Sequence, residues 1–170
     1  MKKVLISLVL IMLIGMAIFS QQTGEEFYVY DRENKFYLLM PVSEVYRILG
    51  NPEEVQTIKS PNSTHNYDTV ILNYSGILFI YHAFLSDPKV LVIGFSDVGM
   101  SLGNLNVIGL NSDEILKKYG DPDFTRTRNE CVLFLYEFSL RMPNHLVLQF
   151  QFNISGICDG VMLTHSDYFI

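Results

Sequence analysis

Basic side chains are scarce in this chain: 12 Lys and Arg stand against 18 Asp and Glu, a formal charge of −6. That balance argues against nucleic acid and against anionic lipid as partners, since both are held by clustered Lys and Arg. Cysteine is scarcer still, with only Cys131 and Cys158, and none lies near the N-terminus, where a bacterial lipid anchor needs one. The opening apolar run, Val4 to Phe19, has 16 residues and falls short of the roughly 20 that a spanning helix requires. No glycine-rich phosphate loop and no nucleophile spaced from a base can be found, so catalysis is not expected.

Other features are present. Lys2 and Lys3 precede the apolar run, the layout of a secretory signal, with cleavage expected after Ser20 or after Ala17. Residues 1–20 are therefore expected to be a signal peptide, with a retained anchor as the alternative. Removing them leaves 10 basic against 18 acidic side chains, a formal charge of −8. The remaining chain, with ten Tyr and twelve Phe in the whole sequence, has ample apolar volume for a core.

The chain repeats itself. "SEVYRILGNPEE" at 43–54 is echoed 70 residues later by "DEILKKYGDPDF" at 113–124. Val45 and Leu49, like Ile115 and Tyr119, lie four apart and share a helix face. Gly50 and Gly120 are placed to end the helix in a left-handed conformation, and Pro52 and Pro122 prevent its continuation. Asn111 with Glu114 forms a capping pair in the second copy, while Pro41 takes the equivalent place in the first. Beyond each helix the apolar period moves toward 2, predicting strands at 69–74, 77–84 and 90–97, then at 131–136, 146–153 and 161–167. The stretches before each helix, "FYVYDRENKFYLLM" and "SLGNLNVIGL", are weaker strand candidates.

The expected fold class is thus α+β: two tandem repeats, 27–97 and 98–170, each a short helix packed on its own three- or four-stranded antiparallel meander. With one helix per sheet, the second face of each sheet has no cover. Leu148, Phe150 and Phe152 alternate with Gln149, Gln151 and Asn153, while Ile80 and His82, flanked by Leu78 and Phe84, occupy the matching positions in the first copy. Ile80, His82, Phe84, Gln149 and Gln151 are accordingly the candidate partner-binding residues, because exposed apolar sheet surface marks a contact site or a seam between the repeats.

No metal or other cofactor is expected. Cys131, His145, Cys158 and His165 are zinc-ligating types, but a meander sets the histidines and the cysteines at opposite ends of a strand, roughly 25 Å apart at about 3.4 Å per residue. The two cysteines stay open between a disulfide and two buried thiols. A full ladder would hold them about 10 Å apart, beyond the ~7 Å a bridge tolerates, unless the irregular "SGICDG" returns Cys158.

A short helix, then "LGNP" (Leu49 to Pro52) or "YGDP" (Tyr119 to Pro122), then an antiparallel sheet, twice over in an exported chain, resembles the β-lactamase inhibitor protein family. It is also similar to the outer-membrane assembly lipoproteins of the BamE (SmpA/OmlA) type, which carry one such unit. The resemblance covers about residues 27 to 167. It implies a non-enzymatic periplasmic or secreted module that docks a protein partner on its sheets, inhibitor-like or assembly-like. The sequence departs from the second family in lacking the lipidated cysteine, and from the first in having too few cysteines for a disulfide in each copy. The competing reading is an envelope structural protein tethered by residues 1–20.

Overall fold

The computed structural model describes residues 27–59, 67–83, 86–128, 130–139 and 145–165. The predicted signal segment, Phe84 and Asp167 lie outside them. Among the described residues there are two helices and eleven strands: β1 (Val29–Asp31), β2 (Asn34–Phe36), α1 (Val42–Leu49), β3 (Glu54–Ile58), β4 (Thr69–Tyr74), β5 (Ile77–His82), β6 (Val92–Phe95), β7 (Met100–Leu102), α2 (Ser112–Tyr119), β8 (Phe124–Arg128), β9 (Cys131–Ser139), β10 (His145–Phe152) and β11 (Cys158–His165).

The helices form for the reasons their sequences give. In α2, Asn111 Oδ1 accepts from the Glu114 N–H at 3.0 Å and Glu114 Oε2 accepts from the Asn111 N–H at 2.9 Å, a reciprocal cap. Pro41 precedes α1 without a side-chain cap. Both helices stop at a glycine with positive φ, Gly50 at 75° and Gly120 at 81°, and each glycine N–H reaches back 2.8 Å to a helix carbonyl.

The expected fold class is overturned. The chain is mostly β, and the strands after the helices do not form two sheets: they lie in one eight-stranded antiparallel sheet ordered β3-β4-β5-β6-β11-β10-β9-β8. A second, three-stranded sheet, β2-β1-β7, takes strands from both sides of the 97/98 boundary assigned from the repeat. The arrangement is therefore not a pair of helix-on-meander units. The cause is the pairing of β6 with β11, Ile93 opposite Leu163 and Gly94 opposite Met162, which removes the free edge each separate meander would have left. Strands β3 and β8 were not expected. Every residue in them is exposed, so no alternation of apolar and polar side chains announces them.

The register carries the sequence correspondence. Ile93 and Leu163 are 70 apart and directly opposite, so a local two-fold passes through that pair. Around it, Phe79 opposite Ile93 is matched by Leu148 opposite Leu163, and Ile80 opposite Val92 by Gln149 opposite Met162. The match slips between β9 and β10: Leu72 faces Phe79, but it is Tyr136 and not Phe134 that faces Leu148. A slip of two residues keeps every side chain on its own face, whereas a slip of one would have turned the strand inside out.

One face of the large sheet carries the main core. Val70, Leu72, Ile77, Phe79, Ile93, Leu148, Phe150, Phe152 and Leu163 form one cluster with Val45 of α1, Ile115 of α2 and Val29, Phe36 and Leu102 of the small sheet. Two tyrosines tie the sheet to the helix ends. Tyr74 Oη donates to the Gly50 carbonyl at 3.1 Å, and Tyr136 Oη to the Gly120 carbonyl at 2.9 Å.

The turn between β4 and β5 is closely fitted. Gly76 has φ 77°, its carbonyl accepts from the Ser96 N–H at 3.0 Å, and a Cβ there would come within 2.6 Å of the Asp97 Cβ. Gly76→Ala is expected to lose roughly 2–4 kcal/mol, combining left-handed strain with a clash that backbone must relieve. Urea denaturation reads this, and a loss below about 0.5 kcal/mol would show that the turn yields freely.

Candidate functional site

The other face of the large sheet is where the candidate residues fall. Alternation from the paired registers puts Glu54 and Gln56 of β3, Ile71 and Asn73 of β4, Leu78, Ile80 and His82 of β5, and Val92 and Gly94 of β6 on this face. Across the centre come Gly160 and Met162 of β11, Gln149 and Gln151 of β10, Leu133 and Leu135 of β9, and Arg126 and Arg128 of β8. The helices and the small sheet pack into the main core on the opposite side.

Four of the five predicted partner-binding residues therefore share one face, and they divide into two kinds. Gln149 and Gln151 are half-buried at the middle of the face, and the Gln151 side-chain amide donates to Asp159 Oδ1 at 3.2 Å. Ile80 and His82 are only 8% and 7% exposed. The expectation that these two present an open apolar surface is corrected. Leu91 and Val92 both engage Ile80, Leu91 through its N–H to the Ile80 carbonyl at 2.8 Å and Val92 as its ladder partner. The three form a second small core with Ile71, Leu78 and Met162 packed around it. His82 lies against the Tyr67 ring, centroids 4.3 Å apart, with its Nδ1 3.3 Å from Thr69 Oγ1. The fifth residue, Phe84, is outside the described residues.

Gly94 and Gly160 leave the centre of the face without side chains, and the depression they open has a volume of about 280 Å³ lined by Asn73, Leu78, Gln149, Gln151 and Met162. Leu78 leans over its floor, with Cγ 3.1 Å from where a Gly94 Cβ would stand. The depression continues past Gln149 and Gln151 into a wider one of about 700 Å³, bounded by Leu133, Cys131, Arg126 and Arg128. Together they make one trough across the strands, apolar toward β5 and cationic toward β8. The sequence does not single out the arginines, because the exposed residues of β8 carry no strand pattern; on a strand their i, i+2 spacing puts both on one face.

The disulfide is not formed: both cysteines are free. Cys131 sits opposite Arg128 on the open face, while Cys158 is buried in the main core opposite Phe152, which in turn faces Val132. A whole strand lies between the two, and they point to opposite sides of the sheet. Burial pushes the Cys158 thiol up to about 11. Its S–H points at the Gly160 carbonyl in a weak contact of 3.6 Å. Among the described residues no group of three or more His, Cys, Asp or Glu is placed to hold a metal.

Among the described residues no helix is long and apolar enough to cross a membrane. No family model matches the chain, and no curated protein matches it. The comparisons thus leave the likeness to the β-lactamase inhibitor and BamE families untouched in either direction. A solved structure that is similar is the 1.5 Å crystal structure of an extracellular protein containing an SCP domain from Bacillus anthracis str. Ames, with a TM-score of 0.50 and 11% identity. The match covers 78% of this chain and 45% of that one, so the chain spans less than half the length of that protein, and at this identity the likeness concerns the fold alone.

Proposed function

We propose that this chain is an exported, non-enzymatic protein-binding module, inhibitor-like or envelope-assembly-like, that docks a protein partner on the open face of its eight-stranded sheet. The observation that carries this reading is the trough. A sheet face whose centre is kept clear by Gly94 and Gly160, with half-buried glutamine amides beside apolar Leu78, Met162 and Leu133, offers the mixture of apolar area and hydrogen-bonding groups found in protein interfaces. Export to the periplasm or the exterior, without lipidation, is supported by Lys2 and Lys3 ahead of the apolar run and by the absence of cysteine there.

A photo-crosslinking side chain placed at Gln149 tests the reading directly, with Asp113 on the exposed side of α2 as the comparison position. In cells making the protein, illumination is expected to give one discrete adduct from position 149 and none from 113. The recovered partner, purified, should then form a stoichiometric complex with the parent chain. Equal labelling at both positions, or no adduct from 149, 151 and 133 alike, overturns the open face as the docking surface.

A further inference from the structure

We propose that the trough receives an extended protein segment carrying apolar side chains at one end and carboxylates at the other, with the carboxylates falling on Arg126 and Arg128. This rests on the reading of the open face as a docking surface and adds the chemistry and direction of what docks.

The charge distribution points there. In a chain of formal charge −6, Arg126 and Arg128 stand side by side on one face of the edge strand β8, both exposed, with Leu133 and Cys131 as their ladder partners. The ion pairs among the described residues are Glu44 with Arg47, Lys59 with Asp68 and Lys89 with Asp87, so neither of these arginines is matched within the described chain. Acidic side chains lie around them: Asp123 three residues before Arg126, Glu130 two after Arg128, Glu137 four along β9 from Leu133, and Asp159, which accepts from the amide of Gln151 opposite Leu133. None of these makes an ion pair with either arginine. The opposite edge of the same face carries Glu54, which accepts from the Asn73 side-chain amide at 3.4 Å. The face is therefore polar along its length, acidic at β3 and cationic at β8.

Shape and lining decide the partner class. From β4 to β8 the trough crosses six strand intervals, roughly 29 Å at about 4.8 Å each, the span of an extended segment of about nine residues. Its first half is floored by Leu78, Met162 and the glycine gap, and its second half by Gln149, Gln151, Leu133 and the two arginines. An acidic polysaccharide would satisfy the arginines and leave the apolar half unused. A peptide with both kinds of side chain uses all of it. Guanidinium groups suit this task because each can hold a carboxylate through two parallel N–H donors.

The test uses the whole mature chain and fluorescein-labelled synthetic peptides followed by anisotropy: one with leucines in one half and glutamates in the other, one with lysines replacing the glutamates, and one with glutamines. Despite the protein's negative charge, the glutamate peptide is expected to bind about tenfold tighter than either other peptide. That preference should weaken as salt is raised and vanish in R126A/R128A, whose circular dichroism and melting should match the parent because both positions are solvent-exposed. Equal binding of the glutamate and lysine peptides, unchanged binding in R126A/R128A, or no binding at all overturns the acidic segment. Competition by alginate as strong as by the peptide overturns the protein class of the ligand. A rise in sedimentation coefficient with concentration that R126A/R128A abolishes would assign the face to a second copy and overturn it likewise. Each of these failures leaves the docking reading standing if the adduct at position 149 forms, and absence of that adduct sinks the docking reading on its own.

Discussion

Phe150→Ala is expected to lower stability by about 3–5 kcal/mol and, by doing so, to unfold strands from both copies of the repeat in one step. The side chain is fully buried, with its ring centroid 5.0 Å from that of Tyr119 and 5.9 Å from that of Tyr136. Its ladder neighbours are Phe134 on one side and Val161 on the other. Removing it takes away the transfer free energy of an aromatic ring and leaves a cavity that rigid sheet neighbours cannot collapse. The loss compares with the whole stability of a domain of this size. Because β10 is joined to β11, β11 to β6 and β6 to β5, the damage reaches Phe79 and the first copy through continuous ladders. Denaturation followed by far-UV and near-UV circular dichroism should give coincident single transitions in both the parent and the variant. Two separated transitions would show that the copies fold independently and that the β6–β11 seam is weak.

That continuity is the part of the fold the sequence concealed. Local period locates a strand well when one face is buried and the other wet, and β10, with LVLQFQF, was found almost to its ends for that reason. Pairing of β6 with β11 joins residues about 70 apart, and nothing in a local window encodes it. A trace is present: all four residues of β6, VIGF, are buried, and a short apolar run without alternation marks a strand at the centre of a sheet and not at its edge. The edge strands β3 and β8 failed for the opposite reason, since EVQTI and FTRTR are exposed throughout. Their pairing is set by the hairpins they enter and not by burial.

The site was partly legible on the same terms. Alternation placed Gln149 and Gln151 on the open face, where they line the trough. The same alternation placed Ile80 and His82 there correctly, but it could not show that Leu91 and Val92 would both close over Ile80, because that depends on where the chain returns after residue 83. The repeated glycines take the positive φ that the pattern asks for, but with ψ of −148° at Gly50 and −166° at Gly120 they sit in an extended region open to glycine and not in the left-handed helical one. What the sequence did not show is that each of those carbonyls is held by a tyrosine from the sheet.

Those tyrosines lead to the second large effect, an alkaline loss of stability beginning near pH 9 and continuing to about pH 12. Burial pushes Tyr74 and Tyr136 up to about 12 from an ordinary 10, and neighbouring negative charge adds to it: a nearby phenolate, Tyr46, for the first, and Asp121 and Asp123 for the second. Burial likewise raises Cys158 to about 11 from 9. Each group is an acid kept protonated by the folded state, so the unfolded chain releases its proton first. The stabilisation is fully present below the unfolded value and is lost as pH rises toward the folded one. For Cys158, sealed in the core, the rise corresponds to at most about 3 kcal/mol, and the tyrosine hydroxyls contribute about 1 kcal/mol each. The sum, roughly 5 kcal/mol, is comparable with the domain's whole stability. An ionised Tyr136 also ceases to donate to the Gly120 carbonyl, which frees the end of α2 from the sheet. Melting temperature measured from pH 8 to 12 should fall with an onset near 9 and steepen above 10. Tyr136→Phe should start about 1 kcal/mol less stable at neutral pH, having lost one hydrogen bond, and decline less steeply above pH 10. A flat profile through pH 11, or an unchanged slope in that variant, would mean that the hydroxyl ionises without releasing the helix and that the tyrosine-to-glycine tie does not hold the two layers together.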